Sequence, residues 1–321
     1  MAEIKESLEK FSLGKGAKKK SLFSKIGVVG CGRDGRSIVN QTALAGLEVV
    51  FIEITEEKIQ DALREIESRL DTRIDNWGLT QSEKRSTMSR IKGSLDYNDL
   101  KDCDFVIECI RYEANGDRST ELRKEVFQKL ESILAPDAII ATNATTVIIS
   151  ELAANLVHKE RCVSLHFPIA HTDARLLEIV KGTFTSPEVM QKVLLFAKLI
   201  KFIPVEVQES SGLVSLRLMV IMLNEACLIL MENLTSMENI DEEFQVIYGQ
   251  RYGIFELADL IGLEKMVMLM EDMFNEYGDK KYKAPPILLR LYRSKQYGVR
   301  TRRGFYIYDD AGNKLKANDL F

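Results

Sequence analysis

Ile26-Gly27-Val28-Val29-Gly30-Cys31-Gly32-Arg33-Asp34-Gly35 decides the fold. Its first four residues form a short apolar run, the signature of a buried strand. Its last six fit G-x-G-x-x-G, a pattern that is informative only between a strand and a helix. The sequence supplies both: a helix is predicted from about Gly35 to Ala45, and Gly46 stands where a left-handed C-cap belongs. In that setting the first glycine permits a tight turn and the second lets backbone approach a pyrophosphate. The third allows close helix–strand packing, and the helix N-terminus faces the phosphates. Glu48-Val49-Val50-Phe51-Ile52 is a second strand, closed by Glu53, where an acidic side chain binds a ribose 2′-hydroxyl. No Arg closely follows Glu53 to receive a 2′-phosphate, and Lys58 falls on the next helix, so the cofactor expected is NAD. The competing reading is an ordinary strand–turn–helix with a surface Glu. The expected cofactor residues here are Gly30, Cys31, Gly32, Arg33, Asp34, Gly35 and Glu53. Asp34 would repel a pyrophosphate unless it turns outward or pairs with Arg33 or Arg36.

Outward from this unit, Phe105-Val106-Ile107, Ala138-Ile139-Ile140-Ala141 and Cys162 to Phe167 read as further strands. Apolar strands separated by helices predict a parallel sheet covered on both faces. Residues 56–92 read as a charged helical excursion turned at Gly78, and Thr120 to Leu134 as an amphipathic helix closed by Pro136. After about Gln208 strand signals end, and helical patterns run from Gly212 onward. The expected fold is α/β, a Rossmann-type doubly wound sheet followed by an all-α C-terminal domain. Residues 1–24 form an N-terminal extension, 25–208 the NAD-binding domain and 209–321 the helical domain.

The 321 residues, 45% hydrophobic and 29% charged, are enough for two domains with a sizeable core. A net charge of −4 predicts neither a nucleic-acid binder nor a membrane-surface protein. Five scattered cysteines without a C-x-x-C pair, and three histidines, predict no disulfide framework and no metal site. They fit a reducing cytoplasm. The basic stretch at Lys15, Lys18, Lys19 and Lys20 lacks a signal peptide's apolar run, and Glu3, Glu6 and Glu9 oppose a transit peptide. Leu213 to Leu234 is strongly apolar but interrupted by Arg217, Asn224 and Glu225, which predicts a buried core helix rather than a membrane span.

Thr142-Asn143-Ala144-Thr145 follows one strand, and His166-Phe167 ends the next. Glu178 comes twelve residues after His166. A His held by a carboxylate serves as a general acid/base near neutral pH, the partner step to hydride transfer at a nicotinamide. A lone His at a strand end is more often structural, so the surrounding motifs decide.

Those motifs resemble the 3-hydroxyacyl-CoA dehydrogenase family from about Lys25 to Tyr308. The glycine loop, Phe105-Val106-Ile107-Glu108, Thr142-Asn143, His166-Phe167 and Leu177-Glu178-Ile179-Val180 carry the resemblance in the first half. Gly253-Ile254-Phe255-Glu256-Leu257-Ala258-Asp259-Leu260-Ile261-Gly262-Leu263 and Arg303-Gly304-Phe305-Tyr306 carry it in the second. The resemblance implies His166 as acid/base, Glu178 as its orienting partner, and Thr145 in place of a substrate-contacting serine. It implies Glu113 and Arg123 as counterparts of an acidic residue and a lysine near the nicotinamide, beside an insertion at Asn115 to Ser119. It also implies that the helical domain binds substrate and forms a homodimer.

The sequence departs from the family around the substrate. Ile169 and Ala170 replace the Asn and Pro common after the catalytic His, and Leu216 replaces a substrate-contacting Asn. The usual Ser and Lys contacts to CoA are not recognisable; Arg69, Asn76 and Trp77 lie nearby, and Arg302 replaces a common glycine. His171 and Arg175 lie between His166 and Glu178; Arg175 reads either as a carboxylate clamp or as a surface cation. The leading expectation is NAD-dependent oxidation of a 3-hydroxyacyl-CoA. A free 3-hydroxy acid as substrate, or a catalytically quiet NAD-binding protein, are the alternatives.

Overall fold

The computed structural model describes residues 22–110, 120–168 and 175–320. Strand β1 (Lys25–Val29), helix α1 (Arg33–Leu44) and strand β2 (Glu48–Ile52) form the expected opening unit. Gly46 follows the helix at φ 92°, a conformation that favours glycine. Helix α2 (Glu56–Asp75) begins at Thr55, whose hydroxyl accepts from the Lys58 N–H. Helix α3 (Gln81–Met88) begins in a reciprocal capping box between Thr80 and Glu83. Residues 56–92 are thus two helices joined at an exposed Trp77, and strand β3 (Ile91–Ser94) begins where helix was expected. With a single large apolar residue, β3 carries little strand signal. Its Gly93 is set by packing, since a Cβ there would lie 2.3 Å from Ile59 Cγ2.

Strand β4 (Phe105–Glu108), helix α4 (Thr120–Ile133), strand β5 (Ile139–Thr142), helix α5 (Ile149–Ala153) and strand β6 (Cys162–His166) continue the sheet. Strand β7 (Leu176–Lys181), helix α6 (Pro187–Leu199) and strand β8 (Ile203–Gln208) complete it, in the order β3-β2-β1-β4-β5-β6-β7-β8. All neighbours are parallel except β6 and β7, which run antiparallel, so the sheet is not the uniformly parallel one expected. Strand alternation splits the core between its faces. Ile26, Val28 and Phe51 pack with α1, α2 and α6; Val29, Val50 and Val106 pack with α4 and α5.

Helices α7 (Leu213–Met231), α8 (Met237–Tyr248), α9 (Ile254–Ile261), α10 (Leu263–Tyr277) and α11 (Pro286–Arg293) surround a separate core that includes Val220, Leu223, Phe255 and Met270. This helical unit closes with a hairpin not anticipated from sequence, β9 (Tyr306–Tyr308) and β10 (Lys314–Ala317). The buried carboxylate of Asp259 holds its first strand, accepting from the Phe305 and Tyr306 N–H groups and the Tyr308 hydroxyl. Helix α7 is long and apolar enough to cross a membrane. Only one side of it is buried, through Leu216, Met219, Val220, Leu223 and Cys227. Val214, Leu218, Ile221, Leu228 and Met231 are exposed, so it is not the wholly buried core helix expected.

Candidate active site

The glycine loop has the geometry its spacing implies. Gly30 sits at φ 89°, where a Cβ would stand 3.2 Å from the Cys109 backbone. A Cβ on Gly35 would meet the Gly30 carbonyl oxygen at 2.2 Å, so only glycine lets α1 approach β1 this closely. A Cβ on Gly32 would meet nothing within 4 Å, leaving its backbone open to a ligand at the start of α1. Glu53 turns back onto the loop: its Oε1 accepts from the Cys31 N–H at 2.6 Å. Asn143 Oδ1, buried beside this loop, has no hydrogen-bond partner among the described residues. An open glycine backbone, a half-buried carboxylate at the second strand's end and an unpaired acceptor together fit a dinucleotide.

Arg33 and Asp34 lie within 3.8 Å of each other, and Lys265 of α10 reaches Asp34 Oδ2 at 3.4 Å. Arg36, the other expected partner of Asp34, instead donates to the Cys31 carbonyl and pairs with Glu65. Arg123 is drawn away from solvent: it forms a buried ion pair with the fully buried Glu108 and also donates to the Ile110 carbonyl. Thr142 Oγ1 donates to the same carboxylate at 2.7 Å. Arg123 still lines the cofactor-side cavity, with its guanidinium engaged by Glu108.

His166 and Glu178 are directly opposed in the antiparallel pairing of β6 and β7. Opposed residues project to one face with Cβ atoms about 5 Å apart, so the strand register alone brings the side chains together. His166 Nδ1 lies 2.6 Å from Glu178 Oε2. Ser215, in the first turn of α7, donates its N–H to Oε1 at 3.0 Å and its hydroxyl to Oε2 at 2.9 Å. The carboxylate therefore caps the positive end of a 19-residue helix. Burial pushes the Glu178 carboxyl up, but the hydrogen bond and charge of His166 and the two Ser215 donors outweigh it, leaving the group below its usual range. An ionised carboxylate only accepts, so it fixes the proton on Nδ1 and leaves Nε2 as the basic nitrogen.

Two cavities meet at this point. One, of about 50 Å³, lies between the glycine loop and β4–β5, lined by Asp34, Cys109, Arg123, Asn143 and Thr145. The other, of about 300 Å³, extends from His166 and Ser215 along Leu216, Met219, Met222, Phe244, Tyr248 and Leu257. Thr145, Lys265 and Leu269 line both and form the seam. Leu216, 6% exposed, presents a hydrocarbon wall where an amide would have been a donor. Arg175 donates to Gln41 Oε1 and lies over the Phe202 ring, which makes it a packing cation rather than a carboxylate clamp. Glu113, Ile169, Ala170 and His171 lie outside the described residues. Sequence reading missed Ser215 and Lys265, one beside a noted departure and one past a motif's end, and neither belongs to a recognisable pattern.

Comparison with known proteins places the chain among relatives of one family. Residues 25–210 match the family model described as 3-hydroxyacyl-CoA dehydrogenase, NAD binding domain, and residues 212–308 match its C-terminal domain. A 3-hydroxybutyryl-CoA dehydrogenase of Clostridioides difficile is 31% identical over 285 residues, covering 89% of this chain and 99% of that protein. One from Bradyrhizobium diazoefficiens is 30% identical, covering 91% and 97%. The crystal structure of (S)-3-hydroxybutyryl-CoA dehydrogenase from Ralstonia eutropha superposes with a TM-score of 0.81 at 32% identity, over 90% of this chain and 100% of that one.

Proposed function

Because this chain belongs to the 3-hydroxyacyl-CoA dehydrogenase family of NAD-binding oxidoreductases, we propose that it oxidises the 3-hydroxyl of a 3-hydroxyacyl-CoA to the 3-oxo group. The observation that carries the reading is the register-fixed His166–Glu178 pair opening onto an apolar cavity at the cofactor seam. His166 Nε2 takes the hydroxyl proton, and Glu178 holds the ring and stabilises the imidazolium. As the O–H bond breaks, the carbinol C–H electron pair leaves as hydride and the C=O bond forms. Bound NAD supplies the hydride acceptor. Thr145 offers its hydroxyl to the substrate oxygen from the seam, while Met219, Met222 and Leu257 exclude water around the acyl group. Gly30, Cys31, Gly32, Arg33, Asp34, Gly35 and Glu53 hold the dinucleotide, with Glu113 proposed on resemblance alone.

Leu216 favours a second reading. Without an amide at that position the thioester carbonyl lacks one donor, which leaves room for a free 3-hydroxy acid as substrate. The exposed apolar side of α7 supports a homodimer, and five unpaired cysteines support a reducing cytoplasm. The decisive experiment follows NADH absorbance with acetoacetyl-CoA for wild type and His166→Ala in parallel, and with free 3-oxo acids. Turnover of the thioester that is lost in the variant supports the proposal. Turnover confined to free acids moves the substrate class, and none with either, despite NADH binding, sinks the catalytic reading.

A further inference from the structure

Helix α8 supplies part of the substrate cavity's wall on very little packing of its own. Of its twelve residues only Met237 and Asp241 are buried, with Ile240 and Phe244 partly so. The Asp241 carboxylate reaches across to the first turn of α9. Its Oδ1 accepts from the Phe255 N–H at 2.9 Å, and its Oδ2 from the Glu256 N–H at 3.2 Å. Oδ2 also accepts from the Tyr306 hydroxyl at 2.9 Å. Gly253, at the head of α9, has no side chain to satisfy those backbone donors, so the cap comes from another helix. A Cβ on Gly253 would lie 2.0 Å from Asp241 Cγ, so the glycine is what admits the carboxylate.

We propose that Asp241 is a positioning residue for the acyl group: by fixing α8 on α9, it aims Phe244 and Tyr248 into the substrate cavity and sets the cavity's width. This role rests on the acyl-CoA reading of the cavity and names the residue that shapes it. Asp241, Phe244 and Tyr248 stand at i, i+3 and i+7, which is one face of α8. The two rings lie 5.5 Å apart and both line the cavity. On α9, Leu257 and Ile261 stand at i and i+4 and line the same cavity, directly after the two backbone donors to Asp241. One carboxylate therefore sets the relation between two walls. Glu242, Glu243, Val246 and Ile247 are exposed, so α8 is held from the cavity side.

The test uses the full chain. It measures acetoacetyl-CoA-dependent NADH oxidation at saturating NADH, and butanoyl-CoA binding to the NAD-loaded protein by calorimetry, with a thermal melt of each variant. Asp241→Asn keeps the shape but turns an NH₂ toward a backbone donor of α9. It is expected to raise KM and the butanoyl-CoA Kd at least about fivefold, the low end of what one stranded buried donor costs. The kcat is expected to stay within about twofold and NADH affinity to be unchanged, the mark of lost substrate positioning rather than lost chemistry. Gly253→Ala, whose Cβ displaces the carboxylate from α9, is expected to do the same by an independent route. Asp259→Asn, in the carboxylate that holds the hairpin, controls for lost stability and is expected to leave KM and Kd as they are. Unchanged KM and Kd in the folded Asp241 and Gly253 variants overturn the proposal, and so does an equal rise in Asp259→Asn. If the wild type binds butanoyl-CoA but turns over no acetoacetyl-CoA, the dehydrogenase reading fails and calorimetry still decides the role of Asp241. No binding of butanoyl-CoA to the wild type overturns both.

Discussion

Replacing Glu178 with Gln tests the acid–base pair with almost no change of shape. The carboxylate satisfies three donors at once: the His166 Nδ1–H, the Ser215 N–H and the Ser215 hydroxyl. A glutamine has a single acceptor oxygen. Turned toward the Ser215 N–H, it aims its NH₂ at His166 Nδ1 and forces the ring proton onto Nε2, which removes the base. Turned toward His166, it sets NH₂ against the N–H at the start of α7, two donors face to face. Either way the imidazolium loses its counter-charge. At an effective dielectric of 20, charges about 4 Å apart attract by about 4 kcal/mol. Residual water and the helix N-terminus absorb part of that, so a loss of about 2–4 kcal/mol is expected, roughly 30- to 1000-fold in kcat/KM. The assay is acetoacetyl-CoA-dependent NADH oxidation across pH 5–9, with NADH titration and a thermal melt to show intact cofactor binding and fold. Activity within about threefold of wild type, on a folded variant, would refute the assignment of Glu178 as the group that orients and charges His166.

Three further outcomes follow from the same geometry. Ser215→Ala removes one donor that holds the Glu178 carboxyl down; its pKa rises, the acid limb of the pH–rate profile moves to higher pH, and about 1–2 kcal/mol of rate is lost, while Ser215→Thr retains both. Arg123→Met strands the fully buried Glu108 charge and lowers unfolding free energy by about 3–5 kcal/mol in urea, part of which Glu108→Gln in the same chain returns. Asp259 is pushed up from 3.8 to about 7 by burial, with Asp241 adding to it, against the pull of its Tyr306, Phe305 and Tyr308 donors. Because the folded state then holds a proton that the unfolded state has released, stability falls as pH rises between those two values, by up to about 1.4 kcal/mol per unit. Urea midpoints measured against pH for wild type and Asp259→Asn check this, since the variant lacks that slope.

The glycine loop and the first strands were legible because each is a local pattern with a mechanical reason, whereas the pairing of His166 with Glu178 was expected only through the family resemblance. Gly35 is glycine because the Gly30 carbonyl leaves no room for a Cβ, and such a clash writes itself into the sequence. Less legible were features whose cause lies far along the chain. β3 is a strand because Val49 to Ile52 offer it an edge, not because Ile91-Lys92-Gly93-Ser94 alternates. β7 runs antiparallel after a short connection, and nothing in its apolar run states a direction. Ser215 and Lys265 have partners 37 and 231 positions away, Glu178 and Asp34, and a serine or lysine on a helix carries no mark of such a partner. The hairpin at Tyr306 exists because Asp259 collects its donors, a relation that became visible only in three dimensions.

The opposition of His166 and Glu178 across β6 and β7 has a bearing on how such a protein diversifies. Backbone pairing holds the proton-handling groups on one unit, and helices from the other unit furnish most of the cavity wall. Drift at Leu216, Met219, Met222 or Tyr248 can reshape what fits in the cavity without disturbing the ladder that keeps the imidazole in place. Lineages are then free to explore new substrates on inherited chemistry. Leu216, one of this chain's departures from the family, stands on that wall.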